Sequence, residues 1–258
     1  MHRALQGRRQ RRRHTTARSV RGGDSVAAIA TDVVACTRCP RLRRYCAAVA
    51  RTKRRAYLEH DYWGRPVPAF GSPGARLWIL GLAPAAHGAN RTGRMFTGDS
   101  SGNWLFEALH GAGFARLPTS QSRDDGQELR DAYISAVVRC APPQNKPKPD
   151  EIKRCASFLA REIDSLTSLR ILLCLGQIAF AAALRLLQEQ GYAVPRPRPR
   201  FAHAAEYTLR RQGDHSSHEL VLLASYHPSR QNTQTRRLTR PMWDAVFERA
   251  QDLLAPPR

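Results

Sequence analysis

Four nearly continuous apolar runs mark the chain: "ARLWILGLAP" (75–84), "DAYISAVVRCAPP" (131–143), "LRILLCLG" (169–176) and "HELVLLASYHPS" (218–229). Each ends at Gly, Pro or Ser, the pattern of a buried strand closed by a turn. Between and after them, apolar residues recur at helical spacing. The predicted helices are "SGNWLFEALHGAGF" (101–114), "PDEIKRCASFLAREIDSL" (149–166), "QIAFAAALRLLQEQG" (177–191) and "RPMWDAVFERAQDLL" (240–254). Asp99, Ser100 and Ser101 are N-cap candidates for the first, and Pro149 and Asp150 open the second. Strand–helix alternation predicts an α/β fold, with one mostly parallel sheet covered by helices on both faces. The Pro-rich segment "VPRPRPRF" (194–201) predicts a surface loop or extended insertion. In such a sheet the ligand site lies beyond the carboxyl ends of the strands. Loops 81–102, 139–149 and 225–239 leave those ends and are expected to meet.

Charge narrows the class of partner. The 258 residues carry 42 Lys and Arg against 21 Asp and Glu, a formal charge of +21. That imbalance disfavours a neutral metabolite and favours nucleic acid. A GC-rich genome explains Arg over Lys but not the shortage of acids. No run reaches the roughly 18 apolar residues of a membrane span, and Asp32 interrupts the one segment that resembles an export signal. Residues 1–23, basic and without an acid, are read as a disordered arm. It is either a DNA tether or the product of a start codon placed too early. Residues 24–258 are read as a single domain. A cytoplasmic, nucleoid-associated monomer is expected.

Six cysteines add a second chemistry. Cys36 and Cys39 form C-x2-C followed by Pro40, while Cys140 and Cys155 have fourteen residues between them. Two such pairs supply four soft ligands, enough for Zn or a [4Fe–4S] cluster, and spacing alone does not choose. Cys174, inside a strand run, reads as a small hydrophobe. Cys46 is a rival ligand.

At this point several stretches, in one order, resemble a known family. They are "CTRCP", "GLAPAAHGANRTGRMFTGDSSGNWL", "AVVRCAPPQNKPKPDEIKRC" and "SYHPSRQNTQTRRLT". Over roughly residues 30–254 the sequence resembles the uracil-DNA glycosylase superfamily, and within it family 5, the b-type enzymes with an iron–sulfur cluster. The resemblance implies a three-layer α/β/α sandwich around a short, mostly parallel sheet. It implies a structural [4Fe–4S] cluster on Cys36, Cys39, Cys140 and Cys155. It implies cleavage of the N-glycosidic bond of uracil and other deaminated bases in DNA, hypoxanthine among them, at the start of base excision repair.

Other families of the superfamily place a polar residue just after the first strand, where this chain reads Leu82, Ala83, Pro84 and Ala85. Bond cleavage is dissociative, so the site must stabilise a departing base anion, hold the base out of the stack and supply a water. His227 in "SYHPS" is the leading candidate to donate a hydrogen bond to O2 of the departing pyrimidine, a contribution of about 3 kcal/mol for such a donor. Backbone amides around Gly81, Ala83 and Ala85 are expected to wall the anion. Asp99 is the candidate to place water or offset charge on the sugar, as well as a helix cap, with Asn90 as the alternative. Phe96 is expected to stack on the flipped base. Asn145 either reads the base edge or stabilises a turn, since the second strand has Ser135 and Ala136 where the superfamily keeps its base-reading Asn. Arg230 or Gln231 is expected to plug the duplex, with Arg236 beside them. Arg91 and Arg94, with Lys146 and Lys148, are expected to grip phosphates. Two rivals stand against this reading. One is a non-catalytic DNA-binding protein with a structural metal site, and the other is a cluster-bearing redox or RNA-modifying enzyme. The second lacks a G-x-G-x-x-G or C-x3-C-x2-C motif.

Overall fold

Residues 24–212 and 219–256 are described by a computed structural model; the basic arm 1–23 lies outside them. A six-stranded sheet forms the middle layer. In chain order its strands are β1 (Phe70–Gly71), β2 (Leu77–Gly81), β3 (Ala132–Ala136), β4 (Ile171–Leu175), β5 (Glu206–Arg210) and β6 (Glu219–Ser225). Their spatial order is β1-β3-β2-β4-β6-β5. The four central strands are parallel, and β1 and β5 are antiparallel edges.

Alternation along the central strands assigns the two faces. In β2, Trp78 and Leu80 pack into one core with Cys174, while Leu77 and Ile79 pack into the other. Both faces are therefore apolar, which is why these strands read as continuous hydrophobic runs. The first face is covered by α1 (Val26–Ala35), α5 (Pro149–Ser165) and α6 (Gln177–Glu189), through residues such as Ile29, Phe158 and Leu187. The second is covered by α4 (Ser100–Gly111) and α8 (Arg240–Leu254), through Phe106, Trp243 and Phe247. This is the three-layer sandwich. Each fully buried Leu or Phe stabilises it by about 1.5–3 kcal/mol. Four α-helices lie outside the predicted set: α1, α2 (Pro40–Thr52), α3 (Ala89–Thr92) and α7 (Arg230–Gln234). Cys174 is fully buried and burial pushes its thiol up, as a core hydrophobe requires.

A charged group also lies in the core. Arg139, just past β3, donates to Glu162 of α5, and the Tyr133 hydroxyl donates to the other Glu162 oxygen at 2.9 Å. All three are at most 1% exposed. Removing one partner leaves a buried charge alone, so Glu162→Ala should cost about 3–5 kcal/mol in urea unfolding. Arg116→Ala, which breaks the exposed pair with Glu128, should cost under about 1 kcal/mol.

Candidate active site and cysteine centre

The three loops do meet. Ring centroids of Phe96 and His227 lie 5.9 Å apart, joining the loop after β2 to the loop after β6. The Val138 amide donates to the Leu82 carbonyl at 3.0 Å, and Ala86 packs against the cluster that holds Cys39, Cys46, Cys140 and Ala141, joining it to the chain after β3. Gly81 is required by this convergence, because a Cβ there would stand 2.8 Å from the Phe96 ring. Phe96 itself is half-buried at φ 52, a left-handed conformation that a bulky residue adopts only where its surroundings impose it.

His227 is half-buried beside the ring. Its carbonyl accepts from Asn232 Nδ2 at 2.8 Å and from the Ser229 amide at 2.8 Å, which ties it to the start of α7. Among the described residues, no protein group hydrogen-bonds either ring nitrogen. Burial holds its imidazole down to about 4, so it is neutral near pH 7. Asp99 is the N-cap of α4, with Oδ1 accepting from the Gly102 amide at 2.9 Å. Its Oδ2 lies against Gly88, where a Cβ would come within 2.0 Å. Burial raises the Asp99 carboxyl, opposed by the Gly102 and Ser101 amides and by the charges of Arg91 and Arg230. Ala83 and Ala85 line the same loop half-buried. The Asn90 amide bonds to the Ala85 carbonyl at 3.0 Å. Among the described residues, the amides of Ala85, Ala86 and His87 have no protein acceptor.

Three expected roles change with the geometry, and Asn145 takes one of its two. Asn90 is 0% exposed, and its Nδ2 donates to the carbonyls of Cys46 and Ala86, each at 3.4 Å. It lies under the loop and braces it against α2 instead of meeting water. Arg91 does not face phosphate. Its guanidinium donates to the carbonyls of His87 (2.8 Å) and Gly98 (2.9 Å) and to His60, and stacks over Tyr57. Arg94 is 5% exposed and committed to Asp125 at 2.7 Å, Ser120 and Thr97. Both hold the loop from within, because a buried guanidinium must satisfy its donors locally. Asn145 is exposed, at φ 57 in a tight turn, with its amide on the Pro142 carbonyl at 3.1 Å. That is the turn-stabilising alternative. Lys146 and Lys148 are exposed nearby. Arg230, Gln231 and Arg236 are exposed around α7, on the His227 side of the molecule.

Sequence reasoning missed the segment before β1. Trp63 and Gly64 donate backbone bonds to Arg91 and Asn90, and Tyr62 bonds His87 Nδ1 at 3.1 Å. Nothing in its mixed polarity marked that segment as a brace.

Cys36 ends α1 and Cys39 is the N-cap of α2, so the C-x2-C spans the joint between two helices. Cys140 follows β3, and Cys155 lies on α5 seven residues before Glu162. All four sulfurs have an arginine beside them. Arg38 Nε lies 3.3 Å from Cys36, and the charges of Arg154, Arg43 and Arg139 act on Cys39, Cys140 and Cys155 in turn. Cys39, Cys140 and Cys155 also act electrostatically on one another. Burial pushes the Cys155 thiol up to about 11. Arg139 Nε and Nη1 are buried without a partner, and in a dry interior such donors call for an acceptor. Four thiols ringed by cations, with two orphaned donors, fit an anionic sulfur-rich group. Among the described residues, no three potential ligands gather tightly enough for one metal ion. Cys46 instead donates towards the Ala141 carbonyl at 3.6 Å and packs against Cys140.

Neutral His227 has a measurable consequence. Between about pH 4 and its ordinary 6.5, the unfolded chain binds a proton that the folded chain refuses, so stability falls as pH drops through that window. Urea unfolding at pH 7 and pH 4.5 should show a larger loss for the parent than for His227→Gln; equal losses would mean the imidazole is not buried neutral.

A model of the uracil DNA glycosylase superfamily matches residues 68–251. The chain is 47% identical over 221 residues to a type-5 uracil-DNA glycosylase of Thermus thermophilus, covering 86% of this chain and 94% of that protein. It is 45% identical over 233 residues to the type-5 enzyme of Mycobacterium tuberculosis, covering 90% and 83%. A type-4 uracil-DNA glycosylase of Archaeoglobus fulgidus is 26% identical over 164 residues, covering 63% and 70%. With its sheet, its loops and these relatives in agreement, the chain belongs to the uracil-DNA glycosylase superfamily.

Proposed function

We propose that this protein excises uracil from DNA, hydrolysing the N-glycosidic bond at the start of base excision repair. One observation carries the reading above the others. At the carboxyl ends of β2 and β6, a half-buried Phe96 ring and a neutral His227 lie 5.9 Å apart, with Gly81 against the ring. An enzyme acting on a base inside a duplex must extrude it, and a pocket with one aromatic face receives it. A non-catalytic DNA-binding protein needs no such pocket.

The chemistry follows from the residues. The extruded uracil stacks on Phe96. As the glycosidic bond lengthens, negative charge grows on the base, and His227 donates a ring N–H to O2. A neutral donor suits this step, because it stabilises the anion without handing over a proton. The amides of Ala85, Ala86 and His87, without a protein acceptor among the described residues, are available to the same developing charge. Asp99 stands at the Gly88 side of the loop, placed to hold water or to offset positive charge on the sugar while it caps α4. Stacking on Phe96 is indifferent to base identity, which supports hypoxanthine as a second substrate. Arg230, Gln231 and Arg236 sit exposed where the duplex enters, with Arg230 or Gln231 filling the vacated stack. The reading takes the protein as a monomer acting at the nucleoid. Among the described residues, no helix is long and apolar enough to cross a membrane.

Cys36, Cys39, Cys140 and Cys155 would hold a [4Fe–4S] cluster. Its contribution when bound is structural, clamping the α1–α2 joint to β3 and α5. Cys155→Ala should then yield protein without the brown colour of an iron–sulfur centre and less stable to heat. A brown, stable variant would remove Cys155 from the ligand set.

The test of function is single-turnover release of uracil from a duplex with one U, scored as alkali-labile abasic sites. Release is expected at U, and not at normal bases. His227→Ala should slow it by about 10²–10³-fold with DNA affinity little changed. Equal loss of both would make His227 a fold residue.

A further inference from the structure

The Pro-rich segment 194–201 runs beside α6, and between them lies a groove of about 550 Å³ lined by Phe180, Phe201, Tyr226, Arg198, Arg200 and Arg237. Its lining holds three guanidinium groups and no acid. Among the described residues, none of the three arginines has an acidic partner. Its floor is aromatic. Phe201 lies 5.8 Å from Phe180 and 6.0 Å from Tyr226, and Arg237 sits 4.7 Å over the Tyr226 ring. The segment is anchored, not loose. Pro199 is buried, and the Tyr207 hydroxyl bonds the Arg200 carbonyl at 2.8 Å and its amide at 3.1 Å.

The groove adjoins the active site along the chain. Its Tyr226 directly precedes His227, and a Cβ on Gly176, at the start of α6, would stand 3.7 Å from the His227 Cβ. Cations over aromatic faces are the combination that holds single-stranded nucleic acid, with phosphates on the charges and a base on the ring. The volume suits a group of nucleotide size.

We propose that this groove holds a nucleotide of the damaged strand beside the extruded one, with its phosphate among Arg198, Arg200 and Arg237 and its base against Phe201. The inference rests on the glycosylase reading above. It makes the 194–201 segment part of the DNA interface and extends the grip of the α7 region, which supplies Arg237, onto Arg198 and Arg200.

The test uses the full chain and fluorescence anisotropy on a short duplex and a single strand, each carrying one uracil, over a range of salt. Removing one cation that neutralises a phosphate lowers the slope of log K against log salt by about one. Arg198→Ala/Arg200→Ala should therefore bind more weakly and lower the slope by about two. Arg198→Lys/Arg200→Lys, which keeps the charge, should restore most of it. Arg185→Ala, on α6 outside the groove, should match the parent. An unchanged slope in the double alanine variant, or an equal loss in Arg185→Ala, would overturn the proposal. The parent's uracil release on the same duplex separates the two readings. Release with an unchanged slope sinks the groove alone, whereas no release sinks the glycosylase reading beneath it.

Discussion

The buried ion pair between Arg139 and Glu162 is the constraint on which the rest of the structure turns. Arg139 stands between the end of β3 and Cys140, and Glu162 stands two helical turns from Cys155 on one face of α5. Their contact fixes the exit of the strand against the helix, and so fixes one pair of candidate ligands before any metal arrives. The same exit is tied to β2 through Trp78 Nε1 and Ser135 Oγ, 2.9 Å apart, and to the segment before β1 through the Val67 amide on the Arg139 carbonyl, 2.7 Å. A charge buried this deeply is costly unless fully paired. Two of its donors are left over, and they point to what the cysteines are for.

Arginine in this chain divides into two populations. Arg91 and Arg94 are buried and spend their donors on the protein's own groups, while buried Arg139 reaches Glu162 through Nη2 and keeps Nε and Nη1 unpaired. They act as struts for loops that carry few other polar groups. Arg198, Arg200, Arg230 and Arg236 are exposed and carry the excess charge that a polyanion would meet. The formal charge of +21 therefore overstates the surface available to DNA. The basic loop after β2 binds itself through Arg91 and Arg94, while Arg230 and Arg236, after β6, stay exposed.

What could be read from the sequence follows the same physics. The central strands were legible because burial on both faces writes an unbroken apolar run. α4, α5, α6 and α8 were legible because burial on one face writes a 3.6-residue period. Edge strand β5 was not, since "EYTLR" is short, partly polar and half-exposed. The convergence of loops at strand ends was legible from topology, and placed Phe96 near His227. The role of an individual polar residue was not. Asn90, Arg91 and Arg94 sit in a loop rich in Gly and small residues, and only the packing of Tyr57, His60, Trp63 and Asp125 around them decides that they face inward.

The central claim is that Phe96 and His227 together receive an extruded uracil. A crystal structure of the protein with a duplex carrying 2′-fluoro-2′-deoxyuridine, whose glycosidic bond resists cleavage, tests it most directly. The account predicts the uracil ring out of the helix, stacked on Phe96, with a His227 ring nitrogen at hydrogen-bond distance from O2. A uracil left paired in the duplex, or extruded to another part of the surface, would contradict it.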